Sequence, residues 1–188
     1  MSNTGIIYGV NGPVIYLKGD SGFKISEMVY VGPENLVGEI IGLKKGMTTV
    51  QVFEETTGLK PGDTVTGTGD AISVLLGPGI IHNIFDGIQR PLEEIAKASG
   101  KYISRGVSVD SLDTQKKWNT HITVKEGDVV GPGSIIAETQ ETDSILHKSM
   151  VPPNLTEATV IHAAADGEYT ILEPIVTVQV AEGTTKAL

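Results

Sequence analysis

Phosphate-binding loops in proteins are built from glycine and lysine. Because this chain has 23 glycines, a nucleotide site is the first chemistry to test. A P-loop requires Gly, four residues and then Gly-Lys-Ser/Thr, because backbone N–H groups and the lysine must surround the phosphates. The single Gly-Lys pair is Gly100-Lys101, but Tyr102 follows it and Ile95 stands where the first glycine belongs. No Gly-x-Gly-x-x-Gly pattern lies between a predicted strand and helix. The sequence therefore predicts no phosphate cradle.

Histidines and carboxylates give no catalytic or metal-binding pattern. Zinc-binding histidines on a helix or hairpin stand three to five residues apart, whereas the four histidines here are isolated at positions 82, 121, 147 and 162. The adjacent acids Glu54-Glu55 point to opposite faces of a strand, and Glu93-Glu94 are expected on a solvated helix face. No serine lies in a Gly-x-Ser-x-Gly turn, and cysteine is absent. We expect no catalytic residue, no cofactor and no metal site.

Charge argues against nucleic acid as a partner. The 188 residues include 14 basic and 23 acidic side chains, a net charge of −9, whereas binding to phosphate backbones or anionic lipid requires clustered basic residues. The segment Lys116-Lys117-Trp118 places two bases beside the only tryptophan, and we interpret it as an exposed turn that leads into a core residue.

No apolar run approaches the roughly 18 residues of a membrane-spanning helix, and no basic-then-apolar signal sequence begins the chain. We expect no membrane insertion.

The spacing of turn residues predicts a mainly β protein. Twenty-three glycines and nine prolines separate short runs of valine, isoleucine and threonine, as in proteins of short strands and tight turns. Residues 1–72 are expected to form a six-stranded closed barrel, which leaves no free strand edge, with a hairpin turn at Lys45-Gly46. The predicted strands are Ile6–Val10, Val14–Leu17, Met28–Val31, Leu36–Leu43, Thr48–Phe53 and Thr64–Thr66.

Residues 73–110 form a predicted linker with a short amphipathic helix. Isoleucines at 80, 84 and 88 recur at the helical period, so a helix is expected after Gly79 and is interrupted at Pro91, which cannot donate a backbone hydrogen bond. A further turn or two, Leu92–Ala98, should end at Gly100. The apolar stripe that these three isoleucines form on the predicted helix could cover the barrel or dock on a domain absent from this chain, and we favour docking. The candidate interface residues are Ile80, Ile84, Phe85, Ile88 and Arg90.

Residues 111–188 are predicted to form a second β module. The run Lys125–Val130 resembles the hairpin entry of lipoyl- and biotinyl-like barrel-sandwich modules, which carry a modified lysine at a hairpin tip. Lys148 would be that lysine, but the Met-Lys or Asp-Lys tip is missing, so a carrier domain is the weakest alternative. The predicted strands are Thr120–Val124, Val129–Val130, Ser134–Glu138, Ala158–His162, Glu168–Leu172 and Ile175–Val180.

One block of sequence is specific to a known family. Residues 76–92, LGPGIIHNIFDGIQRPL, strongly resemble the stretch after the N-terminal barrel in the catalytic A subunit of V-type and archaeal-type rotary ATPases. Four more blocks with this resemblance follow the family order, so it covers nearly the whole chain. They are residues 36–41, 50–58, 102–107 and 147–153.

The resemblance implies different roles for the two parts of the chain. Residues 1–72 correspond to the barrel with which A and B subunits form a crown, and residues 111–188 to the bulge, or non-homologous region, associated with the peripheral stalk. The nucleotide-binding domain, with ATP and Mg²⁺, would follow Leu188. The chain is then a non-catalytic N-terminal part of a cytoplasmic, membrane-peripheral subunit whose parent couples ATP synthesis or hydrolysis to proton or sodium transport. Ser149 departs from the family pattern, which expects an apolar residue there.

A second function class stays open at this point. The missing P-loop also fits a stand-alone β-barrel adaptor that binds a partner and has no ATPase activity. The size of the native polypeptide would separate the two hypotheses, because the rotary ATPase polypeptide is about three times longer than this chain.

Overall fold

Two compact units make up the structure. The computed structural model describes residues 3–19, 22–100, 105–180 and 184–188. Unit 1 contains the chain up to Val74 together with Phe85–Val109, and unit 2 contains Leu75–Ile84 together with Asp110–Leu188. Residues of the predicted linker 73–110 therefore contribute to both units.

Unit 1 is built on a closed six-stranded barrel, as predicted. Its strands follow the order β1-β2-β5-β4-β3-β6 around the barrel, and each neighbouring pair is antiparallel. The two-residue turn at Lys45-Gly46 joins β4 to β5, with Lys44 opposite Met47. The strands are β1 Thr4–Asn11, β2 Val14–Lys18, β3 Glu27–Val31, β4 Leu36–Lys44, β5 Met47–Val52 and β6 Thr64–Ala71.

Alternation along the strands fills the barrel interior. On β5, Thr48, Val50 and Val52 are buried while their neighbours are more exposed, because successive side chains of a strand point to opposite faces. Each fully buried aliphatic side chain contributes about 1.5–3 kcal/mol of transfer free energy. The buried apolar residues are Ile7, Ile15, Leu17, Phe23, Val29, Val31, Leu36, Ile40, Val50, Val52 and Val65.

A carboxylate is also buried in this interior. Glu27 accepts hydrogen bonds from the backbone N–H of Lys24 at 2.8 Å and of Gly69 at 2.9 Å, so its desolvated oxygens have partners. Gly67 on β6 leaves the space that this carboxylate fills, since a Cβ atom there would collide with it.

The predicted helix over Ile80–Ile88 is wrong, because these residues form consecutive turns. His82 and Gln89 have φ values of 72° and 60°, in the left-handed region that an α-helix excludes. The Asp86 carboxylate accepts the backbone N–H groups of Ile88 and Arg90, which replaces helical hydrogen bonds with a local turn.

The second predicted helical segment is confirmed. Helix α1, Leu92–Ser99, begins directly after Pro91 and ends at Gly100, whose φ of 76° is left-handed. Ile95 is its buried residue. Proline is tolerated at a helix start because its missing N–H has no intrahelical acceptor there.

Unit 2 consists of two four-stranded sheets, in the orders β10-β9-β7-β12 and β14-β13-β11-β8. Both sheets contribute to one core, which includes Ile136, Val160, Val176 and Val178. The predicted second β module is confirmed. Its strands are β7 Trp118–Ile122, β8 Val129–Val130, β9 Ile135–Gln140, β10 Leu146–Met150, β11 Ala158–Ala163, β12 Gly167–Tyr169, β13 Val176–Val180 and β14 Thr185–Ala187.

Strand β10 shows where Lys148 lies. The residue is in the middle of the strand, opposite Glu138 on β9, and the Lys148 Nζ is 3.4 Å from the Glu138 carboxylate. A carrier lysine must stand at a hairpin tip, so this position does not support the carrier-domain alternative.

Candidate interaction surfaces

The predicted interface residues are distributed over both units. Ile80 and Ile84 belong to unit 2, and Phe85, Ile88 and Arg90 belong to unit 1. Ile84 is 65% exposed, whereas Ile80, Phe85 and Ile88 are half-buried. Because the segment is a series of turns, its exposed apolar side chains do not form the single stripe that the helical period predicts.

Arg90 is an internal residue of unit 1, with 16% of its side chain exposed. Its Nε donates to the Asp86 carboxylate at 2.7 Å. Its Nη1 lies 3.3 Å from Oε1 of Glu54, whose side chain is 8% exposed. These two buried atoms form an ion pair without hydrogen-bond geometry, and neither has another partner among the described residues. Arg90 therefore pairs with two carboxylates at once.

Burial and hydrogen bonding oppose each other in this cluster. Burial alone raises the pKa of Asp86, but hydrogen bonds from the Arg90 and Ile88 backbone and from the Arg90 side chain outweigh it, so the pKa lies below its ordinary value. Burial likewise lowers the pKa of Arg90, and the carboxylates of Asp86 and Glu54 reverse the shift. Asp86 is therefore ionised and Arg90 protonated at neutral pH, as the ion pair between them requires.

A second contact attaches residues 105–106 to the barrel. Arg105 pairs with Glu34 at 3.2 Å and donates to the carbonyl of Thr57, and the Gly106 N–H donates to the second oxygen of Glu54 at 3.0 Å. Glu54 therefore links the end of β5 to both Arg90 and Gly106. Residues 101–104, which include Lys101 and Tyr102 of the rejected phosphate motif, lie outside the described residues.

In unit 2, Glu141 holds the turn at residues 79–81. Its Oε1 accepts the backbone N–H groups of Gly79 at 2.7 Å and of Ile81 at 2.9 Å. The side chain is only 4% exposed, and its other oxygen lies 3.9 Å from Nδ1 of His147. Sequence reasoning missed Glu141, because a glutamate about 60 positions from its partners carries no local signal.

An open cavity of about 290 Å³ lies beside this turn within unit 2. Trp118 lines the cavity and is buried as predicted, and its indole Nε1 has no hydrogen-bond partner among the described residues. Lys116 lies 3.8 Å from the centre of the indole ring, a cation–π distance. The remaining lining is largely apolar and includes Leu76, Ile136, Met150 and Ile171.

Two apolar patches stand on the outside of the barrel. Ile6 and Tyr8 on β1 form the β1 patch, and Ile41 and Leu43 on β4 form the β4 patch; all four side chains are exposed. Tyr8 and Ile41 each interrupt the strand register, between Ile7 and Gly9 and between Ile40 and Gly42. All four side chains point outward through the alternation of their strands, in which Ile7 and Ile40 point inward.

The isolated histidines do not converge on a metal site. His121 pairs with Asp166 at 2.7 Å and His162 with Glu126 at 3.4 Å, both at the surface. Within the described ranges, no three His, Asp or Glu side chains are grouped to hold a metal ion. No helix in the same ranges has the length and apolar character to cross a membrane.

Comparison with known proteins gives two family matches, one in each unit. Residues 7–69 match the ATP synthase alpha/beta family β-barrel domain, and residues 109–188 match the ATP synthase alpha/beta subunit barrel-sandwich domain. The V-type ATP synthase alpha chain of Halothermothrix orenii is 48% identical over 183 residues, which is 97% of this chain and 31% of that protein. The A subunit of the A-type ATP synthase of Methanopyrus kandleri is also 48% identical, over 185 residues, with the same coverage.

A closed barrel followed by a barrel-sandwich module, each matched by its own domain model, places the chain in the ATP synthase alpha/beta family. Within that family it corresponds to the N-terminal region of the A subunits, also called alpha chains, of V-type and A-type ATP synthases. The chain spans about a third of the length of these relatives. The stand-alone adaptor is therefore not the favoured hypothesis.

Proposed function

We propose that this chain is the non-catalytic N-terminal part of an A subunit, and that its barrel joins neighbouring A and B subunits in a ring. The observation that carries the proposal is the placement of the two outer patches. In the closed order of six strands, β1 and β4 are three steps apart in either direction, so the β1 patch and the β4 patch face opposite sides. A ring member needs two different contact faces, one for each neighbour.

The strand pairing also connects the two patches across the barrel wall. Ile7 pairs with Leu17, Leu17 with Thr48 and Thr48 with Leu43, so a single row of pairing crosses from β1 to β4. Tyr8 and Ile41 lie within a residue or two of this row.

Assembly of the full-length subunit with its B subunit tests the barrel's role. We expect I6S/Y8S and I41S/L43S each to reduce the yield of the alternating hexamer in native mass spectrometry, because either face is required to close the ring. Ile25→Ser is the matched control, since Ile25 is exposed on unit 1 but belongs to neither patch. Hexamer yields equal to the control in both patch variants would contradict the proposal.

For unit 2 we propose contact with peripheral-stalk subunits. Residues 111–188 carry 5 basic and 11 acidic side chains, and surfaces of one charge sign steer partners of the other sign. We expect deletion of residues 111–188 from the full-length subunit to abolish binding to the stalk subunits, and salt to weaken the binding of the complete protein. Stalk binding unaltered by the deletion would count against this role.

The proposed parent couples ATP synthesis or hydrolysis to proton or sodium transport, as a membrane-peripheral cytoplasmic sector. The residues of this chain do not fit ATP or Mg²⁺, because the sequence lacks a P-loop and the described residues offer no cluster of metal ligands. We place both ligands in the two thirds of the relatives' length that the chain does not span. Isothermal calorimetry should show no saturable ATP binding to residues 1–188, and micromolar affinity would contradict this assignment.

The turns at residues 80–88 supply a further proposed contact. Ile81 and Ile84 are exposed although the surrounding turns are held by internal hydrogen bonds. We propose that this docking turn, residues 79–84, packs on the nucleotide-binding domain of the full-length subunit. Ile84→Ser should then weaken the association of the two parts of the polypeptide when they are expressed as separate chains.

A further inference from the structure

We infer that Glu141 is a positioning residue that fixes the docking turn before it meets its partner. The inference rests on the proposed docking of residues 79–84, but the geometry that carries it lies within unit 2. One carboxylate oxygen of Glu141 accepts two backbone N–H groups of the turn, from Gly79 and Ile81. A glutamate from the segment after β9 thus occupies an anion-binding concavity of the backbone.

The burial of this carboxylate makes its hydrogen bonds strong. With 4% of the side chain exposed, water has little access to the carboxylate, and a hydrogen bond in a buried setting is stronger than one in water. Removal of the carboxylate would leave two N–H groups of the turn without their acceptor. Local opening would then expose both to water.

The turn requires such an external attachment because its own backbone is unfavourable. His82 has a φ of 72°, and a left-handed histidine costs free energy that the surroundings must offset. The Asn83 side chain donates to the Gly79 carbonyl at 2.5 Å, which closes the turn locally. Glu141 is the contact that attaches it to the β module.

The turn also covers Trp118. A Cβ built on Gly79 would lie 3.4 Å from the Cζ2 atom of the indole, and that ring atom is adjacent to the carbon that bears Nε1. The buried Nε1 has no hydrogen-bond partner among the described residues, so Trp118 holds a buried, unpaired donor beside the turn. The emission of Trp118 therefore serves as a reporter of turn opening.

The consequence concerns docking of the exposed Ile81 and Ile84. A segment that is ordered before it binds loses less conformational entropy on association than one that must be ordered at that moment. Glu141 touches no proposed partner, so it would act on docking only through the conformation of the turn.

The decisive comparison is Glu141→Ala against Glu141→Gln in the 188-residue chain. Glutamine keeps an oxygen that can accept both N–H groups, whereas alanine removes it. We expect E141A to accelerate amide hydrogen exchange at residues 79–84 by about tenfold or more and to shift Trp118 emission to longer wavelength. E141Q should stay close to the wild-type protein in both measurements. Glu138→Ala is the matched control, because Glu138 lies on β9 and pairs with exposed Lys148 instead.

Wild-type protection of residues 79–84 in E141A would overturn the inference. The docking assay separates this outcome from a failure of the proposed function. If E141A opens the turn but Ile84→Ser leaves association with the nucleotide-binding domain unchanged, the positioning role stands and the proposed docking is wrong. If both variants weaken association and E141Q restores it, both proposals are supported.

Discussion

Arg90 illustrates how one buried cation connects distant parts of unit 1. Its two carboxylate partners, Asp86 and Glu54, come from the adjacent turn and from the end of β5. The block of sequence that resembles the family contains Arg90, and the residue is predicted to lie at an interface. The ion pair with Glu54 could not be predicted, because nothing in a sequence specifies which of many acids a cation meets across the fold.

Removing the cation should therefore destabilise unit 1. Arg90→Ala leaves the buried Glu54 charge without its partner, and the loss of one member of a buried pair typically costs about 3–5 kcal/mol. Urea unfolding followed by circular dichroism measures the change. Lys97→Ala is the control, because its pair with Glu94 is exposed and should contribute less than about 1 kcal/mol. Equal midpoints for the two variants would contradict the role of Arg90.

Asp86 gives the same cluster a dependence on acid. Its pKa is below the ordinary value of 3.8 in the folded chain, so ionised Asp86 stabilises unit 1 above about pH 4, and the contribution is lost as pH falls through the folded pKa. The stability difference between the wild-type protein and Asp86→Asn should be constant near neutrality and shrink below pH 4. A difference that grows with acid would have the wrong sign.

At the scale of elements, the alternation of buried and exposed side chains predicts the barrel strands correctly, whereas the helical spacing of isoleucines predicts a helix that does not form. The barrel strands were predicted because one face of each is buried, which produces the alternating pattern that defines a strand in sequence. Strands β10 and β14 were missed because they lie at sheet edges and bury neither face. The isoleucines at 80, 84 and 88 had the spacing of a helix, but side-chain hydrogen bonds of Asp86 and Asn83 favour turns instead.

Packing of β6 against the buried carboxylate yields a prediction at this scale. Gly67→Ala would place a methyl group against Glu27 and 2.8 Å from a ring atom of Phe23, so we expect a loss of about 1–3 kcal/mol through overpacking. Gly9→Ala on β1 is the matched control, because no atom lies within 4 Å of its Cβ position. Thermal melts of both variants compare their melting temperatures. An unchanged melting temperature for Gly67→Ala would show that the neighbouring side chains move to accommodate the methyl group.

At the scale of the whole molecule, the family and the fold class followed from the sequence, whereas the contact surfaces required coordinates. The order of strands around the barrel sets β1 opposite β4, and that order depends on long-range pairing that local patterns do not encode. With this strand order, the exposed apolar residues of β1 and β4 define two separate faces of the barrel.

Two different faces on one barrel also predict head-to-tail self-association. Sedimentation velocity of the isolated chain should show oligomers that increase with concentration, since an exposed apolar patch favours contact with a complementary one. Tyr8→Ser and Ile41→Ser should each reduce the oligomers, whereas Ile25→Ser should not. A single monomer peak at all concentrations would refute self-association through these faces.

Closure of the barrel has a consequence for the time the chain takes to fold. Gly5 pairs with Val65 across the β1–β6 seam, so this pairing joins two strands that four others separate along the chain. Contacts between residues so far apart in sequence slow the search for the native state, and domains dominated by them fold in milliseconds to seconds where helical bundles need microseconds. Refolding of unit 1 should therefore be slower than that of a helical bundle of similar size.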